Sequence, residues 1–445
     1  MVFREKSDEK ESHHFKEKGR FKLDLHMKMD AIDKPYKKVP PADKMVVFLR
    51  QNMGVETKPI VEVGESVKYG QKIGEYESGG PMVVPVHSPV EGTIMEIKKM
   101  EHPGSGKKEN AILIKTISES DKPNLDPIQI EDATKEELLK RIREAGIVGL
   151  GGAAFPTHVK LSPNKKVSHL IINAKESDPN IACDFRLMKE KPKEIISGII
   201  IMAKILMVEK IVFATRIHEE QLAEFDTLLK ENNIEITRIH HNYSVGSEKL
   251  LVKEILNREV PCGKYPPDVG VVVHNISTAY AVSRAIEKGE PLVSRGLTLY
   301  SEKKGGQNLW VRMGTPISHI LNYAGISPTE FNRIVLGSLM MGFTIPNSSY
   351  PTLKATSGIT AFTQEQSDPY SDPLDCIRCG YCNIVCPVDI YPQMIMEAEK
   401  KGNAKMLKKL HVEDCIECGL CSYVCPSKIK FTKYLIGGKN RILSE

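Results

Sequence analysis

The chain has 445 residues, 41% hydrophobic and 27% charged, a composition typical of a globular protein with two to four domains. Its 62 basic and 57 acidic residues are well mixed, and the net charge of +5 argues against a nucleic-acid-binding protein. The most apolar segment, 195–207, is shorter than the roughly 18 residues of a membrane-spanning helix and predicts a buried helix. Residues 1–33 predict a charged, solvated tail without a signal peptide.

Residues 34–120 predict a small β module. Valines, isoleucines and regularly placed glycines recur over 59–74 and 86–94, as in a sandwich of short hairpins. The module resembles the biotinyl/lipoyl-type fold. A lipoyl carrier needs a lysine at the hairpin tip, and the segment SPVEG at 88–92 has none. We therefore expect a docking or spacer domain.

Residues 125–294 predict a mainly parallel, three-layer α/β domain of the Rossmann-like kind. Thr134 and Glu137 form a capping box, and buried strands then alternate with helices. The strands are predicted at 167–173, 210–214, 234–239 and 268–275, and the helices at 193–207, 219–231 and 277–288. Ligands of such sheets collect at the carboxyl ends of the strands, where Asn173 and Asn275 lie.

A glycine-rich turn at 149–152 precedes the first of these strands. Gly149, Gly151 and Gly152 allow a ligand to approach the backbone closely and direct N–H groups at phosphate, and Lys160 adds a cation. Glycine-rich turns are often only turns, and this one does not match G-x-G-x-x-G.

Eight of the ten cysteines lie between residues 376 and 425, in two C-x2-C-x2-C-x3-C-P runs. This spacing is typical of two 4Fe–4S clusters, in which the fourth cysteine of each run ligates the other cluster. We assign one cluster to Cys376, Cys379, Cys382 and Cys425, and the other to Cys415, Cys418, Cys421 and Cys386. Structural zinc is the alternative, but it prefers C-x2-C pairs separated by a longer span. Cys183 and Cys262 are interpreted as ordinary buried or half-buried thiols.

The segment GLGGAAFPTHVKL at 149–161 is similar to the flavin and NADH motif of the NADH-binding subunit of respiratory complex I. It resembles still more closely the C subunit of the Rnf electron-transport complex. The likeness extends to NAKESD at 173–178, YSVGSE at 243–248 and HNIST at 274–278, and with the cysteine runs it covers residues 34–445. It implies a β-grasp (SLBB-like) domain at 295–362. The segment 391–410 between the two runs predicts mostly helix, which indicates a helical ferredoxin domain with two 4Fe–4S clusters at 366–435.

The resemblance implies non-covalent FMN over the glycine turn, with NAD(H) as the substrate that stacks on it. The implied cofactor-binding residues are Gly149, Gly151, Gly152, Lys160, Asn173, Glu176, Asp178, Tyr243, Gly246, Glu248, Asn275 and Thr278. No catalytic acid, base or nucleophile is implied. The sequence departs from the family pattern at Lys175, where complex I has an acid, and at Ser247, where the first of two paired glutamates stands.

The implied function is that of a peripheral electron-transfer subunit of an ion-translocating ferredoxin:NAD oxidoreductase. Its partners are then the membrane and ferredoxin-like subunits of an Rnf-type complex, on the cytoplasmic side of the membrane. Two alternatives stay open. One is a soluble flavin and iron–sulfur reductase similar to cobalamin reductase, a family that usually begins at the glycine-rich domain. The other is an electron-wire subunit that binds no nucleotide, which the departures at Lys175 and Ser247 favour.

Overall fold

The computed structural model describes residues 23, 26–75, 80, 82–122, 125–216, 222–239, 242–363 and 372–444. No helix within these residues is both long and apolar enough to cross a membrane. The described chain forms two small β-sheets, a parallel sheet covered by helices, a six-stranded mixed sheet and a helical segment that carries the cysteine runs.

The N-terminal sheets enclose one core. Their strands are β2 (Lys44–Phe48), β3 (Lys58–Pro59), β4 (Ser66–Val67), β5 (Lys72–Glu75), β6 (Val86–His87), β7 (Glu91–Glu101) and β8 (Lys108–Ser118). One sheet has the order β2-β8-β7-β4 and the other β3-β5-β6. Side chains of both sheets, among them Val47, Ile73 and Ile112, pack together with almost no exposure, which confirms the predicted β-sandwich.

The prediction of a charged tail as far as residue 33 is wrong for its last part. Helix α1 (His26–Ala31) is folded, and it buries Met27, Lys28 and Ala31. Strand β1 (Tyr36–Lys38) then pairs in parallel with the later strand segment Asn308–Trp310, and not with the N-terminal sandwich. Residues 1–22 lie outside the described residues.

The central domain is a parallel sheet of order β11-β10-β9-β12 with helices on both faces. Its elements are α2 (Lys135–Glu144), α3 (Thr157–Lys160), β9 (His169–Asn173), α4 (Cys183–Glu190), α5 (Pro192–Leu206), β10 (Lys210–Thr215), α6 (Ala223–Glu231), β11 (Glu235–Arg238), α7 (Glu248–Leu256), β12 (Val271–Asn275) and α8 (Ile276–Glu287). Along β9, Leu170 and Ile172 enter the core shared with α5 and α8, while Ile171 enters the core beneath α7. This alternation is what a strand buried on both faces requires.

Two helix starts follow directly from the sequence. The Thr134 hydroxyl accepts from the Glu137 N–H at 3.2 Å, and the Glu137 carboxylate accepts from the Thr134 N–H at 2.8 Å, so the predicted capping box is present. Asn275 ends β12 and caps α8, because its side-chain oxygen accepts from the Ser277 N–H at 2.9 Å. The end of β12 is therefore fixed against the start of α8.

The third domain contains β13 (Ser294–Ser301), β14 (Gly305–Arg312), α9 (Ile317–Tyr323), β15 (Arg333–Leu336), β16 (Phe343–Ile345) and β17 (Gly358–Phe362). The sheet order is β1-β14-β13-β17-β15-β16. Helix α9 covers this sheet, since Ile317, Ile320 and Leu321 pack with Leu297 and Leu309.

The cysteine runs lie in a helical segment made of α10 (Tyr381–Ile384), α11 (Pro392–Lys400), α12 (Ala404–Lys409), α13 (Leu420–Tyr423) and α14 (Phe431–Leu443). Ile395, Leu407 and Leu435 form the core between α11, α12 and α14. The predicted helical character of 391–410 is present, and α14 continues this segment beyond the predicted boundary at residue 435.

Candidate functional site

The structure brings the eight cysteines of the runs together in two groups of four. Burial, together with the nearby sulfurs of Cys379, Cys376 and Cys425, raises the pKa of Cys382 to about 11. Burial likewise raises the pKa of Cys421, with contributions from Cys418, Cys415 and Cys386. Each set of neighbouring sulfurs therefore includes one from the other run.

The spread of the sulfurs does not suit zinc. Tetrahedral zinc with Zn–S bonds of about 2.3 Å holds its sulfurs about 3.8 Å apart. Among the described residues, two groups of three or more Cys, His or acidic ligand atoms lie within 4.8 Å of one another, and neither contains a cysteine of the runs. The sulfurs of the runs therefore lie farther apart than a zinc ion would hold them, which leaves room for a larger metal group.

A cavity of about 340 Å³, counted out to its opening, lies between the sulfurs of the second group. Its lining includes all four cysteines of that group, Cys386, Cys415, Cys418 and Cys421. The backbone also offers donors to sulfur: the N–H of Glu417 lies 3.3 Å from the Cys415 Sγ. A thiolate-lined cavity of this kind fits an iron–sulfur cluster.

The two cysteine loops repeat the same backbone conformation. Gly380 and Gly419 occupy the left-handed region at φ of +79° and +80°, and each precedes a short helix that carries the third cysteine of its run. The residues two positions earlier, Arg378 and Glu417, are also left-handed, at φ of +54° and +56°. This sharp reversal is what turns the three sulfurs of a run toward one point.

The two groups differ in their surroundings. In the first, Cys379 is exposed and Gly380 has open space around it. In the second, Cys415 and Cys421 are buried, and a side chain at Gly419 would lie 2.6 Å from the Met340 carbonyl oxygen. The second group therefore faces the interior of the molecule and the first faces the surface.

The glycine turn lies at the carboxyl end of β12. The Leu150 N–H donates to the buried Thr278 hydroxyl at 2.9 Å, which fixes the turn to the first turn of α8. Gly151 lies against Asn275, since its added Cβ would be 3.3 Å from the Asn275 Cβ. Gly152 has φ of +119° and no atom within 4 Å of an added Cβ. The exposed turn is thus an open cradle of backbone beside Asn275.

A second group of predicted residues lies at the neighbouring strand end. Asn173 is opposite Asn275 in the register of β9 and β12, and its amide donates to the Gly246 carbonyl oxygen at 2.9 Å. The Lys160 ammonium pairs with the Glu248 carboxylate at the start of α7. Gly149 closes the turn by donating from its N–H to the Phe155 carbonyl oxygen at 2.8 Å.

Glu176 contacts a partner that the sequence did not predict. Its buried carboxylate pairs with Lys28 of α1 at 3.0 Å and accepts from the Asp184 N–H at 2.9 Å. Burial raises the pKa of Glu176, and burial lowers that of Lys28. Asp184 also accepts from the Asn275 amide and the Ser277 hydroxyl, both at 2.5 Å. Asp184 therefore connects Glu176 to the strand end below the glycine turn, and no spacing motif marks it in the sequence.

Asp178 and Tyr243 lie toward the second cysteine group. Asp178 accepts from the Ser338 hydroxyl of the third domain, and its pKa is raised by burial. Burial raises the pKa of Tyr243 too, and the nearby charges of Asp178 and Cys418 act in the same direction. Tyr243 thus lies close to a cysteine of the second run. Met340 packs in the same apolar contact, whereas Met341 is exposed.

The structure places the two departures from the family pattern at a buried position and at a helix start. Lys175 is buried and donates to the Asn242 carbonyl oxygen, and burial lowers its pKa to about 7. Ser247 has an extended backbone and stands immediately before α7.

The interpretation of Cys262 as a buried or half-buried thiol is wrong in respect of its burial. Cys262 is exposed, and its Sγ lies 3.9 Å from the His411 Nδ1 and 3.6 Å from a Glu413 carboxylate oxygen. Cys183 is buried as expected, and it donates to the Ser357 carbonyl oxygen at 3.5 Å.

Three domain families match the chain in the same order as the folded regions. The RnfC barrel sandwich hybrid domain matches residues 23–119, the Nuo51 FMN-binding domain 142–284 and the 4Fe–4S dicluster domain 363–429. The fold and the site thus define a protein that combines an FMN-binding α/β domain with a 4Fe–4S dicluster domain.

Two curated relatives, both C subunits of ion-translocating complexes, are similar over most of the chain. The C subunit of the ion-translocating oxidoreductase complex of Serratia proteamaculans is 36% identical over 376 residues. The match covers 83% of this chain and 53% of the relative, so the chain spans about half of that protein. The C subunit of the proton-translocating ferredoxin:NAD(+) oxidoreductase complex of Clostridium ljungdahlii is 34% identical over 369 residues. This match covers 82% of this chain and 80% of the relative. The chain belongs to this family of C subunits, the RnfC family.

A solved structure of an NAD+-reducing NiFe-hydrogenase in the H2-reduced state has a similar fold, with a TM-score of 0.51 and 17% identity. The match covers 71% of this chain and 64% of that one.

Proposed function

We propose that this protein is the peripheral electron-transfer subunit of an ion-translocating ferredoxin:NAD oxidoreductase complex and passes electrons between NAD(H), FMN and two 4Fe–4S clusters. The names of the two relatives support the assembly and the reaction. The family matches support the two kinds of cofactor. In the assembly the subunit lies on the cytoplasmic side of the membrane, beside the membrane and ferredoxin-like subunits. We assign the N-terminal sandwich to the lipoyl-like fold and the third domain to the β-grasp fold.

The residues at the glycine turn fit FMN. The turn presents exposed backbone with open space at Gly152, and the Lys160 cation lies on the following short helix. Backbone N–H groups and a lysine are the donors that a phosphate group needs. The remaining predicted residues hold the rest of the flavin and the nicotinamide nucleotide: Asn173, Glu176, Asp178, Tyr243, Gly246, Glu248, Asn275 and Thr278.

The eight cysteines fit two cubane clusters with exchanged fourth ligands. Cys376, Cys379, Cys382 and Cys425 hold the exposed cluster, and Cys415, Cys418, Cys421 and Cys386 hold the buried one. This assignment is supported by the electrostatic influence of sulfurs from one run on cysteines of the other and by the cavity that the second group lines. Iron–sulfur clusters carry one electron each, whereas a flavin bridges two-electron and one-electron chemistry.

One observation carries the proposal: an apolar contact joins the flavin domain to the dicluster domain. Tyr243, Val385 and Leu420 pack together, with Met340 and Cys418 against them. Tyr243 belongs to the loop that also presents Gly246 to Asn173, so Cys418 of the second group lies close to this loop. These side chains exclude water from the space between the two cofactor sites. The chain itself needs no acid or base, because its task is to bind and orient.

The test is an anaerobic visible-absorbance titration of the reconstituted full chain with NADH, with FMN supplied. We expect flavin absorbance to bleach and the iron–sulfur band to fade after it. Iron–sulfur absorbance that does not respond to NADH would support the electron-wire alternative. Full activity as a free cobalamin reductase, without other subunits, would support the soluble-reductase alternative.

A further inference from the structure

A cluster of metal-ligating side chains lies outside the sites described above, where the flavin domain meets the dicluster domain. Cys262 is in the loop that follows α7, while His411 and Glu413 lie between α12 and the second cysteine run. One ligand atom from each of these three residues lies within 4.8 Å of the other two.

The geometry is close to that of a zinc site. A tetrahedral zinc with Zn–S of about 2.3 Å and Zn–N or Zn–O of about 2.0 Å holds sulfur about 3.5 Å from each lighter ligand atom. The Cys262 Sγ lies 3.6 Å from the Glu413 oxygen and 3.9 Å from the His411 Nδ1. Movements of a few tenths of an ångström in exposed side chains are enough to close this set around one ion.

The charges at this position also favour a cation. The second oxygen of Glu413 is buried and has no hydrogen-bond partner in the described structure. The carboxylates of Glu413 and Asp414 both lie beside the Cys262 thiol. The ammonium of Lys249 lies 3.8 Å from Asp414 and offsets part of this negative charge. An unpaired buried carboxylate oxygen is costly, and a divalent ion would satisfy it.

We propose that Cys262, His411 and Glu413 bind one Zn²⁺ ion, with water or the adjacent Asp414 carboxylate as the fourth ligand. Thiolate, imidazole and carboxylate together are a ligand set that zinc accepts. The ion links the flavin domain to the segment that leads into Cys415, and so it fixes the buried cluster loop against α7. This site is independent of the proposed redox function.

The test is native mass spectrometry of the anaerobic, cluster-reconstituted full chain with up to one equivalent of zinc chloride. We expect one zinc ion per chain at unchanged iron content, and its loss in Cys262→Ser and in His411→Ala. Zinc K-edge absorption should show one sulfur at about 2.3 Å and lighter atoms at about 2.0 Å.

Cys183→Ala is the matched control, because Cys183 is the other cysteine outside the runs. It belongs to the second three-residue group, with Glu176 and Asp184. We expect this variant to keep its zinc. Retention of zinc by Cys262→Ser, loss of zinc in Cys183→Ala, or no uptake by the unmodified chain at micromolar zinc would each overturn the proposal.

Discussion

Gly152 has the backbone conformation in the glycine turn that other residues adopt least readily. Its φ of +119° lies where L-residues are strained, although an added Cβ would meet no atom within 4 Å. A side chain there therefore acts through the backbone and not through a clash. The cost of such a conformation is about 1–3 kcal/mol for a residue other than glycine.

We expect Gly152→Ala to weaken FMN binding by about 5- to 100-fold, since the strained turn no longer presents its N–H groups to the phosphate. Quenching of flavin fluorescence measures the affinity. Gly64→Ala is the control, because Gly64 also has a positive φ, of +90°, and open space, but lies in the N-terminal sandwich. Equal affinities in the two variants would remove the turn from the flavin site.

The cysteine ligands are the part of the site that the sequence predicts best, because their spacing alone defines which sulfurs meet. The partners of Glu176 are not predictable in this way. Lys28 is 148 residues distant along the chain, and its short helix lies in a segment whose composition predicts a solvated tail. Asp184 lies on an eight-residue helix with no cap signal from its side chains. Such contacts depend on tertiary packing that no local pattern records.

At the scale of elements, the four strands of the central sheet were predictable, but the partner of strand β1 was not. Buried apolar runs alternating with helices indicated the parallel sheet, and all four strands are present. Strand β1, by contrast, precedes the N-terminal sandwich in sequence yet pairs with β14 of the third domain. A three-residue strand carries too little pattern to indicate its partner.

The exchange of the fourth cysteine between the two runs can be tested by non-additivity. Cys386→Ser should destabilise the same cluster as Cys418→Ser, because both sulfurs belong to the buried group. We therefore expect the Cys386/Cys418 double variant to retain as much iron as Cys418→Ser alone. Residues that serve one site are non-additive, whereas residues of separate sites add.

The Cys418/Cys425 double variant is the control for this experiment. Its second substitution falls on the exposed cluster, so the iron content per chain should drop further than in Cys418→Ser. The reverse order of iron contents in the two double variants would show that each run ligates its own cluster with all four cysteines.

At the scale of the whole molecule, Lys354 joins three domains. It belongs to the third domain, and its buried ammonium donates to the carbonyl oxygens of Gly146 in the flavin domain, at 2.7 Å, and Pro85 in the N-terminal sandwich, at 3.3 Å. Burial lowers its pKa from 10.5 to about 7. A neutral amine still donates two hydrogen bonds, so the junction does not need the charge.

The lowered pKa of Lys354 predicts a pH dependence of stability. Between about pH 7 and pH 10.5 the unfolded chain holds a proton on Lys354 that the folded chain has lost. The free energy of unfolding therefore rises with pH across this range, and the loss on lowering the pH is complete once the pH has fallen through about 7. Relative to Lys354→Met, the free energy of unfolding should rise by about 1.4 kcal/mol per pH unit over that range. Denaturation midpoints from pH 6 to pH 9.5 measure it. A constant difference across this series would contradict the shift.

The contact between the domains can be tested with two glycines that share one conformation. Gly380 and Gly419 have nearly equal φ, +79° and +80°, and equivalent places in the two runs. An added Cβ meets nothing within 4 Å at Gly380, but at Gly419 it lies 2.6 Å from the Met340 carbonyl oxygen. Alanine therefore introduces the same backbone strain at both positions and a backbone clash with the third domain only at Gly419.

We expect Gly419→Ala to slow the reduction of the clusters by NADH about tenfold or more beyond any effect of Gly380→Ala, because the buried cluster loop must move away from Met340 and Tyr243. Stopped-flow absorbance of both variants, each with full iron and FMN content, gives the two rates. Subtracting the effect at Gly380 removes the strain that the variants share, so the remainder reports the contact alone. Equal rates would mean that electrons enter the clusters by a route that does not cross this contact.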